Sequence, residues 1–200
     1  MPKKGLVSDI LFTHEHALKR FMISEILQYN QRFVAEKGYK PYETSGQPDM
    51  KLAIVSCMDT RLTELLPRAL GLKNGDAKII KVAGGTLLTP YDSVMRSLLV
   101  AIYELDCEEI MVIHHSGCGA CDMHASHFLQ LMRERGISEE DIREAEKYVD
   151  LNKYLDGFHD TPRSVRRTVD AIRQHPLVPK DVTVRGFIID SRTGALEEVR

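Results

Sequence analysis

Leu52-Ala-Ile-Val-Ser56, running directly into Cys57-Met-Asp-Thr-Arg61, is the stretch on which the fold turns. An unbroken apolar run of this length marks a strand buried on both faces, as in parallel sheets whose two sides are covered by helices. Two further runs repeat the pattern, Ala77-Lys-Ile-Ile-Lys-Val82 and Glu109-Ile-Met-Val-Ile-His114, and a fourth strand is expected over Asp181 to Ile189. After a turn from Ser191 to Gly194, Ala195 to Val199 is a candidate short edge strand.

Helical patterns lie between these strands. Thr89-Pro90 reads as the cap and first residue of a helix with the apolar stripe Val94, Leu98, Ile102 and Leu105, placing Asp92 in its first turn. Thr161-Pro162 opens another, with Val165, Val169 and Ile172 on one face, and His175-Pro176 ends it. Strands alternating with helices predict an α/β layer structure with a mainly parallel four-stranded sheet flanked by helices. Ahead of it, Leu18, Met22, Ile26, Tyr29 and Phe33 recur at helical spacing, while Phe21, Ile23, Leu27 and Val34 make the same helix apolar on more than one side. Such a helix is either an ordinary core helix or an arm laid across a partner subunit. The organisation expected is one domain over residues 1–200, with an N-terminal helical arm (1–50) and an α/β core (51–200).

Bulk composition narrows the class. With 43% apolar residues in 200, the chain can bury one good core. A formal charge of −2 gives no broad electrostatic reason to hold nucleic acid or an anionic membrane. Arg163-Ser-Val-Arg-Arg167 reads as the solvated face of a helix. No apolar run approaches membrane-spanning length, and Met1-Pro-Lys-Lys is not followed by the apolar segment of a secretory leader, so the chain reads as cytoplasmic. In a reducing compartment, four cysteines clustered with histidine point to metal or catalysis rather than to disulfides.

The clusters follow strands. Cys57 is expected just past the first and His115-Ser-Gly-Cys118 just past the third, and in open α/β sheets ligands bind beyond the carboxyl ends of strands. Two thiolates and one imidazole are the three protein ligands of a catalytic zinc site, which keeps a fourth position for water or substrate. Asp59 is close enough in the turn to face a metal on Cys57, and Arg61 close enough to pair with it bidentately. Gly84 and Gly85 are either a plain strand-to-helix turn or a place where backbone amides approach a small anion. His114 is sent to the opposite face from His115 by strand alternation, and His124 and His127 lie one helical turn apart; for all three a surface or packing role outweighs proton transfer. Cys107 reads as packing at a helix end.

Taken together, Cys57-x-Asp59-x-Arg61, Ala83-Gly-Gly85 and His115-x-x-Cys118-Gly119 resemble the β-class carbonic anhydrases over about Leu52 to Cys121. The resemblance implies a zinc enzyme, with one zinc per subunit, that reversibly hydrates carbon dioxide to bicarbonate and a proton through a zinc-bound hydroxide. It further implies a homodimer or higher homo-oligomer, and an Asp59–Arg61 pair that keeps the carboxylate off the metal in the active arrangement, with Asp59 as fourth ligand in a closed one. Some relatives of that family hydrolyse carbonyl sulfide or carbon disulfide with the same ligands. A reading of another class also follows from the residues: if Cys121 joins Cys57, His115 and Cys118, the site is closed, and the protein is a non-catalytic zinc-stabilised binding or thiol-sensing module. Two thiolates cancel the charge of zinc, so bound water is acidified less than by a three-imidazole site. Turnover is therefore expected to rise toward alkaline pH; initial rates across the pH range check this, and a flat profile contradicts it.

Overall fold

The computed structural model describes residues 22–200, so Leu18 of the apolar stripe and Phe21 of its second apolar side lie outside the described residues. The described residues divide into two compact units, with the boundary between Thr44 and Ser45. In the first, residues 22–35 are helical (α1). Phe33 closes the turn that follows, with its ring 6.5 Å from both Tyr29 and Tyr42. Met22, Ile23, Ile26, Leu27 and Val34 are each more than half exposed. The helix thus keeps these side chains out of any core formed by the described residues.

The second unit is a five-stranded sheet in the order β2-β1-β3-β4-β5. The strands are β1 (Leu52–Cys57), β2 (Ala77–Val82), β3 (Glu109–His115), β4 (Thr183–Ile189) and β5 (Leu196–Val199). The first four run parallel and β5 pairs antiparallel with β4, so the candidate edge strand is present. Helices α2 (Leu62–Ala69), α3 (Ser93–Tyr103) and α7 (Thr161–Gln174) alternate with the strands. Three more helices, α4 (Ala125–Glu134), α5 (Glu139–Glu146) and α6 (Leu151–Leu155), lie between β3 and α7 in the chain.

Alternation along the strands builds two cores. Ala53, Val55, Ile110, Val112 and Val184 face Leu98, Ile102, Val165, Val169 and Ile172 of α3 and α7, while Leu52, Ile54, Ile113, Phe187 and Ile189 face Leu62 and Leu66 of α2. A sheet covered on both sides is what the unbroken apolar runs encode. Arg163, Arg166 and Arg167 are exposed on α7, as the solvated-face reading requires.

Several boundaries differ from the expectation. Cys57 and His115 are the last residues of β1 and β3 rather than the first beyond them, and β4 starts at Thr183, not Asp181. Helix α3 starts at Ser93 because Asp92, not Thr89, caps it: its carboxylate accepts the N–H groups of Val94 and Met95 and, on the other oxygen, that of Leu88. One carboxylate tying the incoming loop to the first turn outcompetes the Thr-Pro pair. Likewise Asp160 caps α7 ahead of Thr161. No helix among the described residues is long and apolar enough to cross a membrane.

Candidate metal centre

Strands β1 and β3 are hydrogen-bonded neighbours running the same way, so their carboxyl ends place Cys57 beside His115, and the turn after β3 folds Cys118 back onto both. One donor atom from each lies within 4.8 Å of the others, and all three residues are buried. The two sulfurs are 3.8 Å apart. Sulfurs that each sit about 2.3 Å from one tetrahedral ion are separated by about 3.8 Å. The imidazole is oriented for the same purpose: its Nδ1–H donates to the Ser116 carbonyl at 3.0 Å, leaving the lone pair of Nε2 toward the sulfurs. That buried Nε2 has no hydrogen-bond partner. An orphaned donor of this kind, fixed opposite two thiols, fits a thiophilic or borderline divalent ion.

The backbone supplies the partial charge that thiolates need. Amides of Asp59 and Gly84 are directed at the Cys57 sulfur, and those of Ala120 and Cys121 at the Cys118 sulfur. The Cys118 thiol donating to Cys57 pushes the Cys57 thiol down and its own up, so the pair releases its first proton readily and holds the second. Gly85 is what allows β2 to turn this tightly into the site. Its φ is +70°, and a Cβ there would lie 3.0 Å from the Cys57 nitrogen. Gly85→Ala is expected to cost about 1–3 kcal/mol of stability and to loosen metal retention, as measured by urea unfolding and by metal content after dialysis.

Asp59 and Arg61 form the bidentate pair that their spacing suggested. Arg61 Nε donates to Oδ1 at 2.9 Å and Nη2 to Oδ2 at 2.7 Å, with the Arg61 backbone N–H also on Oδ1. The guanidinium holds the Asp59 carboxyl well below the usual carboxylate range. Asp59 Oδ2 stands 3.9 Å from His115 Nε2, so the carboxylate borders the donor trio while the guanidinium holds both of its oxygens. Arg61 Nη2 also donates to the Gly117 carbonyl at 2.9 Å. Nothing in the sequence announces this contact, since a backbone carbonyl acceptor carries no residue signature.

Cys121 does not join the trio. Its backbone N–H closes a turn onto the Cys118 carbonyl, and its thiol points to Asp122 Oδ2 at 3.8 Å. The closed four-ligand arrangement is therefore not the one adopted. Cys107 is buried in the core beside α3, as the packing reading has it. His114 is also buried; its Nε2–H donates to the Gly85 carbonyl at 3.2 Å, its ring lies 5.4 Å from that of Phe158, and burial lowers its pKa to about 4. His124 pairs with His159 rather than His127, their ring centroids 5.5 Å apart.

A parallel α/β sheet with two cysteines and a histidine gathered at adjacent strand ends, and an arginine-held carboxylate alongside, is a donor arrangement suited to a divalent ion in a hydrolytic or hydrating enzyme. A carbonic anhydrase family model matches residues 52–196, and the chain belongs to that family, a family of hydro-lyases. The chain is 50% identical over 178 residues to the YvdA protein of Bacillus subtilis (strain 168), covering 88% of this chain and 90% of that one. Its fold is similar to the crystal structure of β-carbonic anhydrase isoform I from Trichomonas vaginalis, with a TM-score of 0.81 at 34% identity over 88% of this chain and 96% of that one. It is also 29% identical over 179 residues to a carbon disulfide hydrolase of Acidithiobacillus thiooxidans, over 84% of this chain and 87% of that one.

Proposed function

We propose that the protein is a zinc-dependent carbonate dehydratase that interconverts carbon dioxide and bicarbonate, with one zinc per subunit held by Cys57, His115 and Cys118. The observation that carries this reading is the three-donor trio with an arginine-clamped carboxylate beside it and Cys121 turned away. When bound there, zinc supplies the Lewis acidity that makes water nucleophilic near neutral pH. The chain's own residues do the rest. Arg61 fixes both oxygens of Asp59, and Asp59 Oδ2 is the atom we assign to accept the hydrogen bond of the attacking water, aligning its lone pair with the carbon of the substrate. The depressed pKa of Asp59 keeps it an acceptor throughout the working range. Gly84, whose amide is directed at the Cys57 sulfur, and Gly85, packed against the Cys57 backbone, are assigned to the small anionic product.

The test is stopped-flow hydration of carbon dioxide by purified protein of known zinc content, run in parallel with carbonyl sulfide and carbon disulfide. Carbon dioxide hydration far above the other two supports the assignment. The similarity to a carbon disulfide hydrolase favours one second reading, hydrolysis of these sulfur analogues, and faster turnover of either would establish it instead. We further propose a homodimer or higher homo-oligomer, on the strength of the exposed apolar residues of α1, with sedimentation as the check.

A further inference from the structure

The loop that carries Cys118 continues into a second group of donors that the reaction above does not use. Cys121-Asp-Met-His124 has the two-residue gap common between metal ligands, and His159 arrives from a distant segment. Backbone hydrogen bonds lace the two segments together. Asp122 N–H donates to the Phe158 carbonyl at 2.9 Å, Phe158 N–H to that of Ala120 at 3.1 Å, and Gly157 N–H to that of Met123 at 2.8 Å. The approach is so close that a Cβ on Gly157 would lie 2.0 Å from the Ala120 carbonyl oxygen, so the segments meet only because that residue is glycine.

On this frame Asp122 takes a left-handed conformation, φ +65°, that turns its carboxylate between two neighbours. Oδ1 is 3.2 Å from His159 Nδ1 and Oδ2 is 3.8 Å from the Cys121 sulfur. The His124 ring lies beside that of His159, tilted by 32°. We propose that Cys121, Asp122, His124 and His159 form a second, outer site for a divalent transition-metal ion of the zinc, nickel or copper class. Two imidazoles, a carboxylate and a thiol are a donor set these ions prefer over magnesium or calcium. The donors stand wider apart than those of the Cys57–His115–Cys118 trio, the one group among the described residues whose donor atoms all fall within 4.8 Å. Asp122 and His159 are 74% and 67% exposed, so rotation of surface side chains closes the outer site, and it binds more weakly than the inner one.

Zinc titration of the zinc-loaded protein against a chromophoric chelator tests this. Wild type is expected to take up one further equivalent per chain. The His124→Ala/His159→Ala double variant is expected to take up none. Asp122→Asn retains a residue type tolerant of positive φ and should weaken the added equivalent by about tenfold or more. His127→Ala, exposed and outside the group, should leave it intact. Absence of the added equivalent in wild type, or its persistence in the double variant, overturns the proposal. Because the readout is metal uptake, either result leaves the assignment of carbon dioxide hydration to stand or fall on its own assay.

Discussion

His115→Ala is expected to lower kcat/KM for carbon dioxide hydration by roughly 10³-fold or more, about 4 kcal/mol of transition-state stabilisation, and to leave the protein unable to retain zinc through dialysis. The residue is fully buried, its Nδ1–H is committed to the Ser116 carbonyl and its Nε2 has no other hydrogen-bond partner, so no second role compensates for its loss. The two thiols would remain 3.8 Å apart with only two of three donors present. Cys57→Ser should behave alike, since an alcohol keeps the shape of the thiol but not its acidity. Metal content and initial rates measured on the same samples check both variants. Full activity in His115→Ala would show that the trio is not the catalytic centre.

Arg61→Ala is expected to cost about 10²–10³-fold in kcat while the bound zinc is retained. The guanidinium does two things at once. It holds both oxygens of Asp59, and it ties the β1 side of the site to the β3 side through the Gly117 carbonyl. Without it, Asp59 Oδ2, 3.9 Å from His115 Nε2, is expected to turn toward the three donors, where it would serve as a fourth ligand to bound zinc. Cobalt substitution separates this from a mere loss of packing, because a carboxylate entering the coordination sphere changes the visible spectrum. Arg61→Lys should recover little, as an ammonium cannot hold both carboxylate oxygens in a fork. An Arg61→Ala enzyme with ordinary turnover and an unchanged cobalt spectrum would remove the pair from the mechanism.

The parallel sheet could be read from the chain because strands covered on both faces must be apolar at nearly every position, and Leu52 to Ser56 and Ile110 to Ile113 are. The inner donors were readable for a related reason: each ends a strand or lies in the turn just after it, so their order in sequence is their order in space. Boundaries were less legible. Thr89-Pro90 has the chemistry of a helix start, but the competition was decided by a carboxylate at Asp92 that accepts from four backbone amides, those of Leu88, Thr89, Val94 and Met95. The direction of Cys121 was not readable either, since it depends on a turn closed by its own N–H on the Cys118 carbonyl. The partnership of Asp122 with His159 was hidden because no local pattern links segments joined only by backbone hydrogen bonds and a glycine with no room for a side chain. Helices α4 to α6 left few marks of sheet packing, although Ser138 and Asp141 form a reciprocal cap at the start of α5.

The donors of the inner centre come from the tips of two neighbouring strands and a turn, brought side by side only when β1 and β3 are paired. A disordered chain holds nothing resembling that arrangement, so an ion captured there is a tether on the central pairing itself. Chelation should accordingly be felt as lost heat resistance as well as lost turnover, and the order in which newly made chains acquire their ion should follow the assembly of the sheet.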